Sequence, residues 1–86
     1  MAAAKNSHTR NTNDPRIAVL KVAMNSPNNR VRLAAAGSLI EIAAYSGTDL
    51  SGAVQVLEDI SANSEVKGYR TDSDYYLNLV KRIKTR

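Results

Sequence analysis

Residues 29–46 read NRVRLAAAGSLIEIAAYS, and the reading of this stretch decides the fold. As a helix it is apolar almost all round. Val31, Ala35, Leu39, Ile42 and Tyr45 make one stripe, while Leu33, Ala36, Ile40 and Ala44 make another. A helix with apolar residues on several sides must be covered on several sides, so its place is central. Ala34, Ala35, Ala36 and Gly37 are small enough to let neighbouring backbones approach closely. Asn28 or Asn29 caps its start, because a short side-chain oxygen can accept from the first-turn N–H groups. Gly47 supplies the left-handed residue that ends it.

Working outward, Asp14-Pro15 opens an earlier helix: proline fits the first turn, where its missing N–H costs nothing. Ile17, Leu20 and Met24 fall on one face, widened by Val19 and Ala23. Asn25-Ser26-Pro27 stops that helix, since the residue before a proline is driven out of the helical region. Downstream, Thr48 and Asp49 open a third helix whose buried stripe is Leu50, Ala53, Leu57 and Ile60, flanked by Val54 and Val56. Residues 64–70, with Gly68, read as a loop. Thr71 followed by Asp74 resembles a capping box. Tyr76, Leu79, Val80 and Ile83 then recur at helical spacing. A hairpin pairing residues 66–71 with 75–80 is the rival, because Tyr75, Leu77 and Leu79 alternate. The stripe running on to Ile83 favours the helix.

The expected fold is therefore all-α, with four helices near 15–26, 29–46, 49–63 and 72–84. They form two antiparallel hairpins in a small bundle. Leu20, Leu39, Ile42, Leu57, Ile60 and Leu79 are the expected core. Residues 1–13 are polar and aperiodic and read as a disordered tail, leaving residues 14–86 as a single helical domain.

Eighty-six residues suffice for one domain, which buries only about 60–65% of its unfolded surface. There is no cysteine, phenylalanine or tryptophan, so neither disulfides nor a thiolate metal site support the fold and the core is aliphatic. No apolar run makes a signal peptide or a membrane span, which points to a cytoplasmic protein without membrane association.

The residues offer little chemistry. The one histidine, His8, falls in the expected tail, so no positioned base stands beside a serine or threonine in the folded part. Glu58-Asp59 and Asp72/Asp74 are the close acidic pairs. The first fits an exposed helix face and the second a helix N-terminus, where acids favour the dipole. The glycines are scattered and form no phosphate loop. The expectation is a protein that is not an enzyme and has neither cofactor nor metal site.

Charge is more informative. Net charge is +4, laid out as +5 over residues 1–40, −5 over 41–74 and +4 over 75–86. A polyanion would have to meet the two basic ends. Arg30 and Arg32 stand at a helix N-terminus, where the dipole disfavours cations. Either an external phosphate or an internal salt bridge would answer that cost. Lys81, Arg82 and Lys84 form the densest basic cluster, at a helix C-terminus where the dipole also favours them. Arg30, Arg32, Lys81, Arg82 and Lys84 are the candidate nucleic-acid-binding residues.

Three resemblances bear on the fold. In residues 29–42, Val31-Arg32, Ala35-Ala36, Leu39 and Ile42 resemble the second helix of a HEAT repeat. With the helix before Pro27, residues 15–46 look like one such helical hairpin, and the resemblance implies an internal partner for Arg32. The order Pro27, Val31-Arg32, Leu57-Glu58-Asp59-Ile60-Ser61 and Arg70-Thr71 is similar to a small archaeal family of helical-bundle proteins without a settled function, which implies the fold and little more. Ala43, Gly47 and Val56 are spaced as in a helix-turn-helix. The would-be recognition helix carries Glu58 and Asp59 but no Arg or Lys, against its use in a groove.

The leading functional expectation is a small basic binding module that associates with nucleic acid or a ribonucleoprotein through phosphate contacts. The alternatives are a protein-interaction or self-associating helical module, and an inhibitor or immunity-type bundle.

Overall fold

The computed structural model describes residues 15–46 and 49–85; the expected tail, Asp14 and Gly47 lie outside them. Four helices follow in order: α1 (Pro15–Ala23), α2 (Asn29–Ser46), α3 (Ser51–Asn63) and α4 (Lys67–Thr85). No strand occurs among the described residues, so the rival hairpin over 66–80 is not formed.

Local chemistry sets each boundary. α1 ends at Ala23, three residues before the expected 26. Its last turn tightens to i→i+3 bonds, from Asn25 N–H to the Val22 carbonyl and from Ser26 N–H to the Ala23 carbonyl, both 3.0 Å. Pro27 has no N–H with which to continue. Asn28 is the cap of α2, its Oδ1 accepting from the N–H groups of Arg30 at 2.8 Å and Val31 at 3.3 Å. At the start of α3, Asp49 Oδ1 accepts from Ser51 N–H at 3.0 Å, which moves the helix from the expected 49 to Ser51.

The largest departure is at α4, which begins at Lys67 rather than 72. Residues 64–70 are not a loop, and Thr71 lies inside the helix instead of capping it. Ser64 carries the turn. Its N–H closes α3 on the Ile60 carbonyl at 3.0 Å, and its Oγ accepts from Val66 N–H at 3.1 Å. Its own carbonyl accepts from Arg70 Nη1 at 2.7 Å.

As its sequence requires, α2 is central and packs against each of the other helices, while α3 and α4 pack most extensively on one another. The core is Ile17, Met24, Leu33, Ala35, Ala36, Leu39, Ile40, Ala43, Leu50, Ala53, Leu57, Ile60 and Val80. Leu39, Leu57 and Ile60 are buried as expected, whereas Leu20, Ile42 and Leu79 are only partly buried at its margin. The α4 stripe runs Tyr69, Ser73, Tyr76, Val80, Ile83 at helical spacing, with Ser73 fully buried. The end of the Tyr76 ring lies against Gly37 of α2: a Cβ placed on Gly37 would stand 2.5 Å from Tyr76 Cζ and 2.7 Å from Cε2. The absence of a side chain at Gly37 is what lets α4 settle onto α2.

Candidate nucleic-acid interface

The first basic group stands in the opening turn of α2. Arg30 is exposed, with its backbone N–H held by the Asn28 cap. Arg32 turns inward. Its Nη2 pairs with Asp59 Oδ2 of α3 at 2.9 Å, and its Nη1 donates to Asn29 Oδ1 at 2.7 Å. Asn63 Nδ2 donates to the other oxygen of Asp59 at 2.9 Å. The Asn63 hydrogen bond, followed by the hydrogen bond and charge of Arg32, holds the Asp59 carboxyl below its ordinary range. A cation at a helix N-terminus thus finds its anion within the same chain, on α3.

The second group belongs to the last turns of α4, where Lys81 and Arg82 are exposed. Lys84 is in the same helix, its side chain outside the described ones. The two groups are not brought together. The Arg70–Ser64 bond holds the start of α4 to the end of α3, which Arg32 and Asp59 tie to the start of α2. Tyr76 then meets Gly37 farther along both helices. Arg30 lies about 10 Å before that contact along α2, and Lys81 about 7 Å beyond it along α4.

The acids near α4 are partly engaged. The Ser61 hydroxyl donates to the Asp74 carboxylate, which ties α3 to α4, while Asp72 is exposed. Burial first, then the charges of Glu41 and Asp72, push the Tyr76 phenol above its ordinary value.

Two features escaped the sequence reading. Tyr75 is 59% exposed, its ring meeting that of Tyr76 edge to face with centroids 5.3 Å apart. It shares an exposed helical face with Asn78 and Arg82, at i, i+3 and i+7, a spacing legible once α4 is accepted as a helix. The other feature is an open groove of about 630 Å³ between α1 and α2, lined by Pro15, Val19, Leu20, Ser38, Glu41 and Ile42 among others. Val19 and Val22, beside it on α1, are 67% and 73% exposed.

Among the described residues no group of three His, Asp or Glu side chains is placed to hold a metal ion. No helix there is long and apolar enough to cross a membrane. In comparisons with family models, curated proteins and solved structures, nothing matches the chain.

Proposed function

We propose that the chain is a non-enzymatic, cytoplasmic binding module that associates with nucleic acid or a ribonucleoprotein through phosphate contacts. The observation that carries this reading is the C-terminal charge: four cations and no acid in residues 75–86, with Lys81 and Arg82 exposed on the last turns of α4. Lys81, Arg82 and Lys84 form the principal contact and Arg30 a secondary one. Arg32 contributes less, because Asp59 already offsets its charge.

Each neutralised phosphate releases counterions, so affinity for duplex DNA falls with salt by a slope of about 0.9 per contact. Titration of generic DNA and RNA at several salt concentrations is the test. The double variant Lys81→Glu, Arg82→Glu is expected to bind all sequences more weakly and to lower the slope by about 2. Glu58→Gln on α3 is expected to change little. A salt-independent complex that the double variant forms normally would sink the reading.

The α1–α2 groove favours a second reading, a self-associating or protein-binding module, including one of inhibitor or immunity type. Exposed Val19 and Val22 beside an open, partly apolar groove are what such a partner would cover. Light scattering distinguishes this reading. It expects a salt-tolerant complex that Val22→Glu dissolves.

A further inference from the structure

We propose that Tyr75 stacks on a nucleobase, so that the nucleic acid this protein prefers is single-stranded. The proposal rests on the phosphate-binding reading and adds to it a ligand class and a residue that is not a cation.

Tyrosine on a helix that packs against two others is ordinarily drawn into the core, as Tyr69 and Tyr76 partly are. Tyr75 is not. It is 59% exposed, and its ring is braced by the Tyr76 ring at an interplanar angle of 71°. Tyr76 is itself wedged against Gly37, so the brace is anchored in the bundle. An aromatic held in this way loses little freedom when a base settles on it, which leaves more of the stacking energy available for binding.

The neighbours of Tyr75 suit the same ligand. Asn78, three residues on, brings an amide that can both donate to and accept from a base edge. Arg82 lies on the same face two turns on, about 10 Å along the axis, with Lys81 beside it. A strand whose base lies on Tyr75 therefore runs its phosphates toward the C-terminus of α4. Of the acids nearby, Asp74 is held by the Ser61 hydroxyl, exposed Asp72 lies on the N-terminal side, and Glu41 of α2 acts on Tyr76 rather than on Tyr75. Paired bases in a duplex keep their faces stacked on one another, out of reach of a side chain on a helix surface. Unpaired bases offer theirs to an aromatic ring. Phosphate contact alone would favour the duplex, with its denser charge. Stacking reverses that preference.

The experiment is fluorescence anisotropy on the full chain, with a labelled oligouridine of about a dozen nucleotides and a duplex RNA of the same length. Both probes are titrated with the parent protein, Tyr75→Ala, Tyr75→Phe and the Lys81→Glu, Arg82→Glu double variant. The expected result is tighter binding of the single strand by the parent. Tyr75→Ala should weaken that binding about ten-fold with little effect on the duplex, and Tyr75→Phe should retain it. Equal binding of the single strand by parent and Tyr75→Ala, with both probes weakened by the double variant, overturns the stacking role and leaves the phosphate reading standing. Equal loss on both probes with Tyr75→Ala, and no rescue by Tyr75→Phe, also overturns it. Failure of the parent to bind either probe at low salt overturns both readings.

Discussion

Gly37 shows how much one missing methyl can decide. In the middle of a helix, glycine costs roughly 1 kcal/mol relative to alanine, so Gly37→Ala would stabilise α2 taken alone. Here the added Cβ would meet the far end of the Tyr76 side chain at 2.5–2.9 Å, so that ring must swing aside and give up its packing on α2. The clash wins, and Gly37→Ala is expected to lower stability by about 1–3 kcal/mol in denaturant melts. The loss should shrink when Tyr76 is first cut back to alanine, because the two residues are coupled. Equal losses in both backgrounds would mean that Tyr76 does not rest on Gly37. The small run from Ala34 to Gly37 was legible as a place of close approach; which side chain fills it was not, because spacing does not reveal the partner. Ser73 shows the opposite limit. It is fully buried, its hydroxyl has no partner among the described residues, and nothing in its chemistry marks it as a core position.

That serine explains the main error at the scale of elements. The stripe of α4 passes through Ser73 to reach Tyr69, so an apolar pattern read upstream from Tyr76 breaks there and the helix seems to begin at 72. Gly68 reinforced the mistake, because glycine so often marks a loop. In the structure Gly68 is the second residue of α4, with open space where a Cβ would go. Gly68→Ala is therefore expected to raise stability by about 0.5–1 kcal/mol, read as a higher midpoint in a urea melt. Were residues 64–70 a loop, the same substitution would be neutral or harmful. The stop before Pro27 and the start of α2 were legible because proline and asparagine act locally. Ser64, by contrast, closes α3, turns the chain and receives Arg70, and the last of these depends on a contact six residues away.

Over the whole molecule, the four helices and the central place of α2 followed from periodicity, whereas the fate of the charges did not. Arg32 and Asp59 are 27 residues apart, and only folding decides that they meet. Their pairing makes stability respond to acid. Because the Asp59 carboxyl titrates below its ordinary range when folded, its contribution is complete above that range and fades as pH falls through the lower folded value. Thermal melts should thus show the parent losing more on acidification than Asp59→Asn; parallel losses would count against the pairing. The candidate cations were legible as residue types, but the pairing of Arg32 with Asp59 was not. The packing also carries a consequence for motion. With Ile17 its one buried residue and α2 its principal support, α1 can detach at far less cost than global unfolding. Its amide protons should exchange with solvent earlier than those of α2 and α3, an outcome that would make the wall lined by Val19 and Leu20 a hinged side of the groove.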